Sequence, residues 1–425
     1  MDAQEGVALA LVASLVLAWT LIGHRAERWA LTAPMAFLAV GAALGATAGE
    51  SLGAPTVRLL AEVTLVLVLF HDASTLRLRE LRRDPWIPLR LLAVGFPLAL
   101  LLTTASTAWL LPAAGLAGAL LIAGAVTPTD AGLGAPTILN PVVPRRVRRA
   151  LNVESGLNDG LATPVVLAAL SVLVESTGGT EQTILSLAAV PVMQALAIGL
   201  TVGLVGAVAL DASRARHLSS LRGRSLAMLM LPILGFAGAE ITGANAFIAA
   251  FVAGLAFGRA SRCVAEEKEV TDSLELTSDL LSLVLWLLAG VLVVDVFADG
   301  LRWQWVVLAV AALTVLRIVP VAICLLGTGF RLPTVLFIGW FGPRGIATIV
   351  FGLIAVEDLG SDPVLADVAG VLGLTVALSV VAHGVSAGVL SQRYGAWVAR
   401  THGPIETEPS VEPMRGRRSG GMSSM

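Results

Sequence analysis

Residues 154–159 read Glu-Ser-Gly-Leu-Asn-Asp inside a stretch that is otherwise apolar. Three more charges lie in apolar runs: Asp130 in "TPTDAG" (127–132), Arg344 in "FGPRG" (341–345) and Arg317. Each would cost about 2.5–3.5 kcal/mol at the centre of a membrane helix. They must therefore face a bundle interior, pair, or touch water. Glu154 and Asn158 are four apart on one helix face, and Ser155 and Asp159 share the adjacent face. Oxygens of Asp159, Asp130, Ser155 and a freed carbonyl near Thr129 suit a small hard cation, which takes oxygen ligands. A desolvated carboxylate can equally hold a proton. Asp130, Glu154 and Asp159 against Arg317 and Arg344 leave one negative charge. One monovalent cation or one proton neutralises it, so the expected chemistry is one-for-one exchange. The plainer alternative is interhelical ion pairing, which suits Glu154 as well as ion binding does and suits Asp159 less.

The elements that must position these groups are membrane helices. The 425 residues are 56% hydrophobic with mean hydropathy +0.85, and only 14% are charged. Soluble domains carry about 25%. Hydropathy predicts about thirteen spans: 6–23, 33–48, 57–74, 86–109, 112–140, 149–176, 184–210, 225–241, 243–261, 271–294, 301–325, 332–357 and 363–393. The first run follows the acidic "MDAQEG" and reads as a retained span and not a secretory signal. Basic residues alternate with the spans, as positive-inside orientation requires. Arg25 and Arg28, then Arg77, Arg79, Arg82 and Arg83, then "RRVRR" (145–149) follow odd-numbered spans. Arg214, Arg216, Arg222 and Arg224, then Arg259, Arg262 and Lys268, and Arg331 continue the series. The expectation is an integral protein of a bacterial plasma membrane, N-terminus outside and C-terminus inside. Residues 397–425 form a polar tail, expected to be cytoplasmic and disordered. Net charge is -2, which excludes a nucleic-acid partner. Cys263 and Cys324 suggest neither a disulfide framework nor a metal motif.

Two spans carry Pro and Gly at mid-depth: span 5 at 127–132 and span 12 at 341–345. Pro removes a backbone donor, so both helices should break there. Thr127 and Phe341 are 214 residues apart, and the same shift carries spans 3, 4 and 6 onto spans 10, 11 and 13. The chain therefore reads as an all-α polytopic protein with one transmembrane unit, 1–396. That unit holds two six-helix repeats, about 6–176 and 225–393, joined by a connector span at 184–210. The charge map runs span 5 inward and span 12 outward, so the repeats are inverted. Paired breaks in inverted repeats point to a transporter with its site at the midplane.

These residues resemble the cation–proton antiporter superfamily, in its electroneutral sodium/proton branch of NhaP type. The resemblance covers about residues 5–393 and rests on Thr129-Asp130, on Glu154-Ser155-x-x-Asn158-Asp159, on "NAFIAAFVAGLAFG" (245–258) and on "FGPRG". Asn158 before Asp159 is the electroneutral pattern, where electrogenic relatives have Asp-Asp. The resemblance implies that Asp159 is the main ion and proton carboxylate and that Asp130, Thr129 and Ser155 help hold sodium. It implies that Glu154 is held by Asn158 and by an arginine, Arg317 or Arg344. It also implies no cofactor, a homodimer, and an elevator-like movement of a core against a dimer domain. The chain departs from the pattern at Ala131, where the family usually has Pro, and at Gly156, usually apolar.

The expected function is electroneutral exchange of sodium or lithium for a proton, with potassium as the alternative cargo. An intramembrane aspartyl enzyme using Asp130 and Asp159 would have no use for the paired breaks or the arginines. A channel would need no titratable carboxylate. His71 and His383 are candidates for pH sensing, though each reads more simply as a packed side chain. Glu275 and Asp279 could line an entry funnel, and interfacial solvation explains them as well.

Overall fold

The computed structural model describes residues 3–48, 54–76, 85–175, 181–267, 269–298 and 300–401. Arg77, Arg79, Arg82, Arg83, Lys268 and residues 402–425 of the expected tail lie outside the described residues. The described chain is helical: α1 (Ala3–Glu27), α2 (Ala33–Ala48), α3 (Ala54–Thr75), α4 (Trp86–Leu110), α5 (Gly115–Val126), α6 (Ala131–Ile138), α7 (Arg145–Glu175), α8 (Glu181–Ala215) and α9 (Leu221–Thr242). It continues with α10 (Ala246–Ala260), α11 (Arg262–Glu266), α12 (Glu269–Ala298), α13 (Trp303–Leu313), α14 (Val315–Cys324), α15 (Leu332–Trp340), α16 (Ile346–Leu359) and α17 (Val364–Thr401). Nine helical stretches among the described residues are long and apolar enough to cross a membrane. Ala33–Ala46 and Ala246–Ala260 are shorter apolar helices.

Both expected breaks occur. α5 stops at Val126 and α6 starts at Ala131; α15 stops at Trp340 and α16 starts at Ile346. Two boundaries differ from the sequence reading. The "RRVRR" run is helical and opens α7, and α17 continues to Thr401, past the expected start of the tail. Span 11 is also divided, at Thr314, whose φ of −120° and ψ of −95° leave the helical region. Neither Pro nor Gly marks that turn, so hydropathy alone reads one continuous span there.

The helices pack as two bundles. α2, α3, α8, α9, α10 and α12 pack mainly on one another; α4–α7 and α13–α17 form the second bundle. Each has its own apolar core: Phe70, Met228, Phe257 and Leu274 in the first, and Ile87, Leu151, Phe337 and Tyr394 in the second. A larger core joins them, bringing Leu65, Phe251 and Trp286 against Leu121, Val166, Phe351 and Val376. At one edge of this seam Arg58 of α3 reaches Asp358 of α16 at 2.5 Å. Large apolar side chains such as Leu21, Val208 and Ile241 remain exposed on the outer faces, as lipid contact requires.

Candidate functional site

The two breaks cross each other in the second bundle. Asp130 is extended, with φ −91° and ψ 122°, and its Oδ1 accepts from the Leu133 amide at 2.7 Å, capping α6. α16 has no cap of its own: Gly345 precedes it and offers no side chain. Asp130 Oδ2 supplies that cap by accepting from the Ile346 amide at 2.8 Å. The Asp130 amide donates to the Pro343 carbonyl at 2.8 Å, which locks one break to the other. One carboxylate thus answers two helix N-termini, each worth roughly half a positive charge. The approach needs a glycine, because a Cβ at Gly345 would lie 2.1 Å from Asp130 Oδ2. Ala131 occupies the first helical position of α6, where Pro is favoured because no amide is needed. The departure from the family pattern at Ala131 leaves the cap intact.

α7 runs past this crossing and presents the polar run. Thr129 Oγ1 is 2.8 Å from Ser155 Oγ and accepts from Asn158 Nδ2 at 2.7 Å. All three side chains are buried, and Asn158 Oδ1 finds no partner among the described residues. Asn158 therefore ties to Thr129 and not to Glu154 as the resemblance implied. Gly156, the other departure, leaves room that the side chain of Leu76 fills.

Glu154, expected among the ion-binding carboxylates, has both oxygens occupied. Arg317 Nη1 donates to Oε1 and Nη2 to Oε2, the latter at 2.7 Å, with both residues buried. The planar guanidinium matches the carboxylate as a fork. The turn at Thr314 brings Arg317 into position: α14 opens at Val315, and Arg317 is its third residue. Arg344, 1% exposed, pairs with no carboxylate among the described residues. Its Nη1 donates to the Gly342 carbonyl at 2.6 Å and its Nη2 to the Ala312 carbonyl at 3.0 Å.

Asp159 is different from all of these. It is 8% exposed, and among the described residues no donor reaches its carboxylate; only its backbone carbonyl accepts, from Thr163. The charges that act on it are those of Asp130, Asp72 and Arg344. The next residue, Gly160, lies against Phe251 of α10, so Asp159 stands at the seam between the bundles. Asp72 follows His71 near the end of α3 and is not among the expected site residues. Its partial burial in α3, one turn before Leu76, brings it within electrostatic reach of Asp159. No sequence spacing signals this, because it depends on how α3 packs on α7. His71 Nδ1 is 3.2 Å from Asp72 Oδ1. Both cysteines are free and buried, and no cluster of metal-ligating side chains occurs among the described residues.

The family model for the sodium/hydrogen exchanger, transmembrane, matches residues 11–393. Among solved structures the chain is similar to the sodium proton antiporter MjNhaP1 from Methanocaldococcus jannaschii at pH 8. That match has a TM-score of 0.74 at 18% identity, covering 92% of this chain and 99% of that one. An electron-microscopy map of the same antiporter gives a TM-score of 0.71 at 19% identity, covering 92% of this chain and 98% of the other. With a buried carboxylate left unpartnered at the crossing of two broken helices, and with the family model spanning nearly all the helices described, the chain belongs to the transmembrane sodium/hydrogen exchanger family and is a secondary transporter, not an enzyme.

Proposed function

We propose that the chain exchanges one sodium ion for one proton, electroneutrally, with Asp159 as the group that binds each in turn. The observation that carries this reading is the contrast among the buried charges. Glu154 is held by Arg317, Asp130 by two amides and Arg344 by two carbonyls, while the Asp159 carboxylate has no donor among the described residues. A buried carboxylate without partners is costly unless it takes a cation or a proton.

The ligand set in this proposal is Asp159 with Ser155, Thr129 and the remaining lone pairs of Asp130; Asp72 bears on the site through its charge. Glu154 then serves as a positioning group through Arg317. The charge balance supports single exchange. Glu154 cancels Arg317, and Asp130 cancels two helix ends at roughly half a charge each. Asp159 and Asp72 against Arg344 leave one negative charge, which one sodium or one proton neutralises. Stable binding of both at once would leave an excess positive charge in a dry site.

Alternating access is part of this proposal, and the seam between the bundles supports it. Ile346–Val350 of α16 is buried throughout, whereas Gly132 and Pro136 of α6 are exposed, which supports entry along α6. With the N-terminus outside, that entry is cytoplasmic. Inverted repeats, a homodimer and a bacterial plasma membrane complete the reading. The single shift of 214 residues that carries one break and its neighbouring spans onto the other supports the repeats; the family likeness supports the dimer.

The test uses proteoliposomes with an acid interior and a pH-sensitive dye. Sodium, lithium, potassium and choline are added in turn, with and without a voltage clamp. Luminal alkalinisation by sodium or lithium, indifferent to the clamp, is expected. Alkalinisation by potassium alone would change the cargo. Dependence on voltage would overturn one-for-one exchange.

A further inference from the structure

His383 lies buried in α17, and nothing in the exchange chemistry above uses it. Its ring is fixed at both nitrogens. Nε2 is 2.8 Å from the carbonyl oxygen of Trp340, the last residue of α15. A carbonyl only accepts, so Nε2 carries a proton and donates it there. Nδ1 is 3.3 Å from Ser379 Oγ and 2.9 Å from the Ser379 carbonyl oxygen. Ser379 Oγ in turn accepts from the Arg344 amide at 2.7 Å. The imidazole also lies against the Trp340 indole, with ring centroids 5.2 Å apart. His383 and Ser379 are four apart, on one face of α17. Together they hold both edges of the second break, the carbonyl where it begins and the amide near where it ends.

The break has need of such holding. A helix end leaves carbonyls without helical partners, and 341–345 has no helix of its own. The Arg344 guanidinium is tied to backbone carbonyls, one of them Gly342 inside the break, and its Nε has no partner among the described residues. Its location therefore follows the backbone of the break, and that backbone is held by His383 and Ser379. Arg344 lies near enough to Asp159 for its charge to oppose that of the carboxylate.

We infer that His383 and Ser379 are positioning residues for exchange, bracing the second break so that the Arg344 charge stays at a set distance from Asp159. The inference rests on Asp159 as the exchanging carboxylate. It differs from pH sensing, because the bracing contact is the Nε2 proton at the Trp340 carbonyl, which is present whether or not Nδ1 is protonated as well. It also differs from mere packing, because an apolar side chain of similar size would fill the space and leave the Trp340 carbonyl without this donor.

The experiment compares His383→Leu, His383→Gln and Ser379→Ala with wild type in proteoliposomes, and follows amide hydrogen exchange across 341–345 in the same preparations. Hydrogen exchange is expected to quicken about tenfold, the worth of roughly one hydrogen bond, at Arg344 in Ser379→Ala, which loses that amide's acceptor, and across 341–345 in His383→Leu, which loses the donor at the Trp340 carbonyl. In both, the pH–rate profile should move to the alkaline side by roughly half a unit or more. A nearby arginine shifts a carboxylate by about 1–3 units, and here it is displaced and not removed. His383→Gln, whose amide N–H can reach the Trp340 carbonyl, should restore most of both properties. A Leu variant with the wild-type pH profile would overturn the inference, leaving the histidine a packing residue. If His383→Leu does not fold, Ser379→Ala, which lacks one hydroxyl, decides by the same two readouts. If wild type itself moves no protons with sodium, the exchange reading fails. Unchanged protection of Arg344 in the variants would then overturn the brace separately.

Discussion

Asp130 caps a helix that begins 216 residues further along the chain, its Oδ2 accepting the Ile346 amide at 2.8 Å. Its other oxygen caps its own half-helix through Leu133. The crossing of the two breaks thus hangs on one carboxylate, and replacing it separates two functions. Asparagine has one acceptor oxygen and can cap only one of the two helices. Asp130→Asn should destabilise the protein by about 1–3 kcal/mol for the amide left unmet, read as a lower melting temperature, and should slow exchange. Wild-type stability in that variant would show that the second cap is dispensable.

Gly345 must stay a glycine for a steric reason. A Cβ there would lie 2.1 Å from Asp130 Oδ2 and 2.7 Å from Asp130 Cβ. Gly345→Ala should cost about 1–3 kcal/mol or more through overpacking, with a fall in folded yield and loss of exchange. Gly223→Ala is the control, because its Cβ would meet nothing closer than Ser220 Oγ at 3.6 Å. Its melting temperature should hold or rise slightly, since alanine is the better helix former. Equal behaviour of the two variants would contradict the crossing geometry.

The Glu154–Arg317 pair predicts a strong coupling. Arg317→Met leaves a buried carboxylate uncompensated and should cost about 3–5 kcal/mol. Arg317→Met combined with Glu154→Gln removes both charges and should recover most of that loss. Thermal unfolding of the two singles and the double measures the coupling. Exchange should survive in the double variant. A folded double variant as inactive as an Asp159 variant would return Glu154 to the ion site.

Asp72 is predicted to act on the site through its charge. Asp72→Asn should fold normally, since the side chain is only partly buried. Removing a like charge favours the ionised form of its neighbour, so the pH–rate profile should move to the acid side, and the KM for sodium should rise. A profile and KM identical to wild type would place Asp72 outside the site.

The parts of this site that were legible in the sequence are those written in local chemistry. Pro128 and Pro343 in matching apolar runs announced both breaks, and the polar run from Glu154 to Asp159 announced a buried site. The partners were not legible, because they are set by packing between distant segments. Glu154 meets an arginine 163 residues away, and nothing local distinguishes Arg317 from Arg344. The Asp130 side chain could be expected at a helix start, but its second cap exists only once α6 and α16 cross. Thr314 turns the chain without Pro or Gly, so the position of Arg317 in depth was hidden. Asp72 carries no local signal at all, because its nearness to the site depends on how α3 packs on α7.

The central claim is that one carboxylate trades a proton for a sodium ion. Titrating purified protein with sodium in weakly buffered detergent solution, near the midpoint of the pH–rate profile, while recording proton release, tests it most directly. Wild type should release up to one proton per sodium bound, and Asp159→Asn, folded by its melting temperature, should bind no sodium and release none. Sodium binding with proton release retained in Asp159→Asn would contradict the account.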